Sequence, residues 1–308
     1  MNYNCLVILG PTAGGKTKLA CELAYHLNGE IISADSRQVY KHLTIGTGKD
    51  LDEYIINGKK INFHLIDIIE PEEQFYLHDF VRELKIAFDS ITSKNKLPIV
   101  CGGTGLYLDA LKKDFSFTKI KENQEIRNKL ENFSKEELQK KLSSYKNEKL
   151  KDTDIDSKKR LVRAIEIAEY LKKTKTELIT SDLPYQPYYI GLKISLDQRR
   201  NLIYKRLVAR LDNGLIEEVE GLLKKGITHH RLQFLGLEYK FISNYLQQKI
   251  SKDELLTLLS TAINQFSKRQ MTWFRKMERE GVKINWVEKG INIELLLKEI
   301  KNNFQDFS

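Results

Sequence analysis

Along the first hundred residues, short unbroken apolar runs alternate with stretches whose apolar positions repeat every three or four residues. Residues 4–9 (NCLVIL) form a run closed by Gly10, the pattern of a strand buried on both faces. Residues 17–27 carry Leu19, Ala20, Leu23, Ala24 and Leu27 on one helical face and stop at Asn28-Gly29, a helix terminator. Residues 30–35, 63–69 and 97–101 read as further strands, with a helix over 77–90 between the last two. Strands alternating with helices predict a parallel sheet joined by right-handed crossovers. This α/β core is expected to span residues 1–118.

From about Lys119 the strand pattern vanishes, and the chain up to residue 187 is helical and charged. Ile126, Leu130 and Phe133 share a face; Ser134-x-x-Glu137 is a capping box; Leu161, Ile165, Ala168 and Leu171 form another stripe. Leu183-Pro184 and Gln186-Pro187 break helix, and residues 189–196 return to strand-like alternation. A helical insertion over 119–187 is therefore expected, with 188–308 returning to the core. That last part is mostly helical, with a capping box at Ser251-x-x-Glu254 and an edge strand at 283–288.

With 308 residues, 41% of them hydrophobic, the chain can bury a core domain and a smaller insert. The formal net charge is +9, and residues 119–180 hold 17 Lys/Arg against 12 Asp/Glu, or +5 of that excess. Two readings stand: a lysine-rich soluble surface, or a polyanionic partner such as nucleic acid. Cys5, Cys21 and Cys101 lie far apart without a metal-binding spacing, which predicts buried, reduced thiols. No charged start or cleavage site opens the chain, and no apolar stretch approaches the roughly 18 residues of a membrane span. A cytoplasmic protein without a membrane partner is expected.

Gly10-Pro11-Thr12-Ala13-Gly14-Gly15-Lys16-Thr17 matches G-x-x-x-x-G-K-[ST] and lies between a buried strand and an amphipathic helix. In such a loop, backbone N–H groups turn inward around phosphate oxygens and the helix N-terminus adds partial positive charge. Lys16 supplies a cation, and the Thr17 hydroxyl can ligate magnesium. Hydrolysis of a nucleoside triphosphate would call for a second apolar strand ending in a carboxylate. Residues 97–101 run instead into Gly102-Gly103-Thr104-Gly105. Asp67, read as mid-strand, is either that metal carboxylate or a structural buried carboxylate paired with a backbone amide or an arginine. Asp35 stands at the carboxyl end of the second strand, where open parallel sheets bind ligands. It can serve as a base toward an amine or hydroxyl, or cap the next element; Gln38 can donate and accept toward a base edge.

GPTAGGKT, SADSRQVY (33–40), IGTGK (45–49), CGGTGLY (101–107), KRLVRAIE (159–166) and KRQMTWFR (268–275) occur together in this order. The set resembles the bacterial tRNA dimethylallyltransferases, also called isopentenylpyrophosphate transferases, over nearly the whole chain. The resemblance implies a P-loop nucleoside-triphosphatase-like core with a tRNA-clamping insertion, acting as a monomer. It implies that Gly10, Thr12, Ala13, Gly14, Gly15, Lys16 and Thr17 hold the diphosphate of dimethylallyl diphosphate with Mg2+ near Thr17, while Arg200 and Arg206 grip it from the far side. Asp35 matches the base that deprotonates the adenine N6 amine, and Thr104 a position that helps place it. Ser36, Arg37 and Gln38 match the segment around the flipped adenine beside the anticodon. Arg127 and the run Lys159, Arg160, Leu161, Val162 and Arg163 match contacts to the tRNA anticodon stem-loop. Asp50 departs from the usual proline, Lys159 from the usual Gln or Asn, and residues 231–240 match only loosely.

Overall fold

The computed structural model describes residues 3–145, 155–174 and 183–304. The chain divides into two compact units, one made of Met1–Lys113 with Leu183–Ser308 and the other of Asp114–Asp182. The second unit begins five residues earlier than the change in sequence texture at Lys119, because residues 114–118 pack with the insertion.

The first unit opens with β1 (Cys5–Leu9), α1 (Lys16–His26) and β2 (Gly29–Ala34). A two-residue hairpin, β3 (Ile55–Ile56) and β4 (Lys59–Lys60), precedes β5 (Phe63–His64), α2 (Leu77–Thr92), β6 (Leu97–Gly102) and α3 (Gly105–Asp109). The second unit holds α4 (Gln124–Leu130), α5 (Lys135–Ser143) and α6 (Lys158–Thr174). The chain then returns as β7 (Pro187–Lys193), α7 (Leu196–Asp212), α8 (Leu215–Lys224), α9 (His229–Leu235), α10 (Leu237–Leu246), α11 (Lys252–Arg279), β8 (Ile284–Glu288) and α12 (Ile293–Asn303).

Six strands form one parallel sheet in the order β5-β2-β6-β1-β7-β8, with β8 on its edge. Its central strands β1 and β6 are buried at every residue, as their unbroken apolar runs require. One core packs α1 and α12 against the sheet through Leu19, Leu23, Leu296 and Ile300. Another holds α7 to α11 together around Leu207, Val219, Tyr239 and Leu259. Register fixes what meets at one end of the sheet: Leu9 and Ala34 both pair with Gly102. Gly10, Asp35 and Gly103, the residues that follow, therefore leave three adjacent strands at the same edge.

The strand expected over 63–69 stops at His64. Leu65 and Asp67 take left-handed backbone conformations, φ 62° and 56°, which end the ladder. Asp67 is thus outside the sheet, not mid-strand. The insertion has its own core, in which Leu130, Leu138, Leu142, Leu161 and Ile165 are buried. Phe133 leaves the expected face because α4 ends at Leu130. The predicted capping boxes at Ser134/Glu137 and Ser251/Glu254 both form. Among the described residues, no helix is long and apolar enough to cross a membrane.

Candidate active site

The loop between β1 and α1 owes its shape to three left-handed residues, Gly10 (φ 152°), Ala13 (φ 61°) and Gly15 (φ 88°). Gly14 N–H donates to Pro11 O at 3.2 Å, and a Cβ on Gly14 would stand 2.9 Å from that carbonyl. Gly15 caps α1 without any side-chain hydrogen bond, so the first N–H groups of the helix face the loop with no side-chain acceptor. Lys16 Nζ donates to Pro11 O at 2.9 Å. From α7, Arg206 Nη2 reaches across to Thr12 Oγ1 at 2.5 Å.

A cleft of about 390 Å³ opens on this loop, lined by residues 12–18 together with Asp35, Gln38, Thr47, Gly48, Asp50, Glu53, Tyr54, Cys101, Gly102, Arg206 and Lys289. Burial pushes the Lys16 ammonium down to about 8, and the nearby positive charge of Arg206 adds to the effect. Burial and then Arg210 lower Arg206 to about 10. Two cations whose charged forms are disfavoured by burial gain from a neighbouring anion. Burial, followed by the adjacent Asp50, raises the Glu53 carboxyl. The three cysteines are free and buried, and burial pushes Cys101 up to about 12, so none offers a thiolate.

Asp35 lines the same cleft as Lys16 and Arg206. Its Oδ1 accepts the Arg37 N–H at 2.8 Å, closing a tight turn where a helix cap was the alternative reading. Its Oδ2 accepts no hydrogen bond among the described residues. Thr104 does not line the cleft; its Oγ1 accepts from Ser36 N at 3.2 Å and ties the Gly103-Thr104 turn to the one holding Asp35. Arg37 extends to Phe234 O at 2.6 Å. Gln38 lines the cleft, but its amide serves the fold: Oε1 accepts from Ser33 Oγ at 2.8 Å and Nε2 donates to Gly48 O at 2.9 Å. The buried Lys49 takes Asp67 as its partner and donates to Tyr40 O at 2.7 Å, so Asp67 is engaged structurally, but by a lysine instead of the expected amide or arginine and with its own side chain half-buried.

Arg200 does not join Arg206. Its side chain is 62% exposed, with Asp197 at 4.0 Å, and it is absent from the cleft wall. The helical period explains this. Arg199, Arg206 and Arg210 recur at seven and four residues on one face of α7, and Arg200 stands about 100° away around the axis. Three supports had no role assigned from sequence. Gln270, within KRQMTWFR, accepts from Thr12 N at 2.9 Å and donates to Gly103 O at 3.0 Å, joining the phosphate loop to the glycine turn. Glu218 accepts from Thr44, Ile45 and Gly46 N at 2.8–3.0 Å and from Tyr239 Oη at 2.7 Å, fixing the segment that carries Thr47 and Gly48. Arg210 lies 3.5 Å from Asp50, which gives the departure from proline a partner.

The family model described as IPP transferase matches residues 38–277. A protein of Bacteroides fragilis called tRNA dimethylallyltransferase 2 is 46% identical over 307 residues, 99% of each chain. The Treponema denticola protein of the same name is 48% identical, covering 93% of this chain and 96% of that one. The chain belongs to the IPP transferase family. Among solved structures, the full-length tRNA isopentenylpyrophosphate transferase of Bacillus halodurans superposes with a TM-score of 0.70 at 30% identity, covering 99% of this chain and 96% of that one. A eukaryotic dimethylallyltransferase shares the fold at a TM-score of 0.79 and 23% identity, over 99% of this chain and 80% of that one.

Within the insertion, several expected RNA contacts are occupied or hidden. Glu166 is buried, and Arg127 grips it with Nε at 2.8 Å and Nη2 at 3.0 Å while its Nη1 holds Glu122 at 2.6 Å. Arg163 also turns to Glu166, at 3.2 Å, and donates to Ile120 O at 2.5 Å. A buried carboxylate must be met by cations and N–H groups, and these arginines meet it. They hold Glu166 below the ordinary carboxylate range although burial pulls it upward. Leu161 is in the core and presents no surface, and Val162 packs against that core. Lys159 and Arg160 are exposed at the start of α6.

Proposed function

We propose that the protein transfers a dimethylallyl group from dimethylallyl diphosphate to the N6 amine of an adenine beside the anticodon of tRNA, releasing diphosphate. The observation that carries this reading is that the phosphate loop, Arg206 and Asp35 line one cleft. Such a cleft offers an anion cradle and, facing it, a carboxylate with an oxygen to spare.

An adenine amine is a weak nucleophile because its lone pair is delocalised into the ring. The new C–N bond forms as the allylic C–O bond breaks, and the electron pair of that bond leaves with the diphosphate. Loop N–H groups, Lys16 and Arg206 would turn to meet the developing charge, the kind of electrostatic stabilisation worth about 3–4 kcal/mol per donor at oxyanion sites. Asp35 takes the amine proton through Oδ2, while the Arg37 N–H holds Oδ1. Thr104 acts one step back, by setting the turn that carries Asp35. The adenine must leave its stack to enter, at a cost of a few kcal/mol, and an anticodon loop is already partly unstacked.

Magnesium fits beside the Thr17 hydroxyl, since Mg2+ asks for few protein ligands when phosphate oxygens and water complete its shell. When bound it would neutralise charge on the departing diphosphate. In this reading the enzyme works as a monomer in the cytoplasm, where its tRNA substrate resides. The test is incubation with dimethylallyl diphosphate, Mg2+ and unmodified tRNA, with AMP and ATP in parallel. Prenylated tRNA with stoichiometric diphosphate is the expected result. Phosphoryl transfer from ATP, or prenylation of AMP in preference to tRNA, would overturn it.

A further inference from the structure

A buried amide connects the two sides of the cleft. Gln270, on α11, is 6% exposed and does not line the cleft itself. Its Oε1 accepts from Thr12 N at 2.9 Å in the phosphate loop, and its Nε2 donates to Gly103 O at 3.0 Å in the glycine turn after β6. Thr12 is also the residue whose hydroxyl Arg206 holds. The residue after Gly103 brackets Asp35: Thr104 N–H donates to Ala34 O at 3.2 Å, and Thr104 Oγ1 accepts from Ser36 N at 3.2 Å. One side chain thus links the anion-holding loop to the turn that flanks the carboxylate.

The link is stiff. A Cβ on Gly103 would stand 2.2 Å from Gln270 Nε2, so the turn approaches the amide as closely as only glycine allows. Three residues further along α11, Trp273 lies against Gly105, where a Cβ would meet the indole at 2.2 Å. The Trp273 Nε1 donates to Asp109 Oδ2 at 3.2 Å, which fixes the ring. The turn therefore cannot slide along α11. An amide presents donor and acceptor at a fixed spacing, and both are used here, so the two partners keep one separation. Transfer between a bound diphosphate and an amine depends on that separation, since a misplacement of about 1 Å can cost about a hundredfold in rate.

We propose that Gln270 is a positioning residue for the transfer step, setting the distance between the diphosphate cradle and Asp35 without touching either substrate; this rests on the prenyl-transfer reading. Because the Thr12 N–H is committed to Gln270, the anion is left to the rest of the loop, Lys16 and Arg206. Loss of the amide therefore slows the chemistry and leaves binding nearly intact.

The test is single-turnover prenylation of an unmodified anticodon stem-loop by the full chain, with dimethylallyl diphosphate and Mg2+, each substrate varied to saturation. It compares wild type, Gln270→Met, Gln270→Glu, Thr104→Val and the double variant Gln270→Met/Thr104→Val. Gln270→Met should lower the saturated rate at least about tenfold, with half-saturation by either substrate within about threefold of wild type. The double variant should be no slower than the slower single one, because both break the same tie. Gln270→Glu, when ionised, turns a carboxylate on Gly103 O; when protonated, it donates and accepts as the amide does. Burial raises such a carboxyl, so the rate of this variant relative to wild type should rise as pH falls from about 8 to about 6. That recovery also decides the matter if Gln270→Met does not fold. An unchanged saturated rate, a loss confined to half-saturation, or two losses that multiply in the double variant would overturn the proposal. So would a Gln270→Glu enzyme as slow as Gln270→Met at every pH. If wild type prenylates the stem-loop while the variants match it, the positioning role alone fails; if wild type does not prenylate it, the functional reading fails as well.

Discussion

At the scale of single residues, the proposed chemistry rests on two groups in the cleft. Asp35 has one oxygen held by the Arg37 N–H and the other without a partner among the described residues, so the side chain is oriented and still able to accept a proton. Asp35→Ala should lower the single-turnover rate by about two orders of magnitude or more, the usual range for a lost general base. RNA and diphosphate affinity should stay within a factor of two or three; an unchanged rate would remove Asp35 from the chemistry. Lys16 supplies a pH signature. Burial pushes its ammonium down to about 8, and a bound diphosphate would raise it. The protonated form binds the anion more strongly, so affinity is greatest below pH 8 and falls as pH rises through that value. An unreactive alkyl diphosphate, whose terminal ionisation lies near about 6, should therefore take up a proton on binding at pH 8.5. Calorimetry in two buffers of different ionisation heat measures this uptake, and Lys16→Met should abolish it. Uptake that persists in the variant would assign the proton elsewhere.

At the scale of elements, the central strands and the phosphate loop were legible because their signals are local, whereas the strand expected over 63–69 was cut short by the left-handed Leu65 and Asp67. A run such as residues 5–9, too short for a helix and closed by a glycine, favours a buried strand, and Gly-x-x-x-x-Gly-Lys-Thr needs the strand–helix junction that it has. The side-chain assignments on helices were less legible. Arg200 and Arg206 look equivalent in sequence, yet helical phase puts one in the cleft and the other outside it. Arg127 and Arg163 look like solvent-facing cations until the tertiary position of Glu166 draws both inward. Leu161, within a run of matching residues, is simply core. The insertion should accordingly depend on its buried carboxylate. Glu166→Leu leaves two arginines without their acid, and breaking a buried pair in this way typically costs about 3–5 kcal/mol. Hydrogen exchange should then show α4 to α6 losing protection while α1 and the sheet keep theirs. Equal loss in both units, or in neither, would contradict an insertion stabilised from within.

At the scale of the whole molecule, parallel register is what assembles the site. Leu9 and Ala34 share Gly102 as their partner, so three sequence-distant turns meet at one sheet edge, and Gln270 ties two of them together. No local pattern foretold that tie: KRQMTWFR was recognisable as a motif, but the partners of Gln270 lie 258 and 167 residues away. In the proposed reaction a diphosphate in the loop faces an adenine amine presented to Asp35. A crystal structure of the enzyme with an unreactive dimethylallyl diphosphate analogue and an anticodon stem-loop tests this arrangement most directly. The account predicts the diphosphate within the loop between Lys16 and Arg206, and the flipped adenine N6 within about 2.6–3.2 Å of an Asp35 carboxylate oxygen. A diphosphate bound outside the loop, or an adenine whose amine faces away from Asp35, would contradict it.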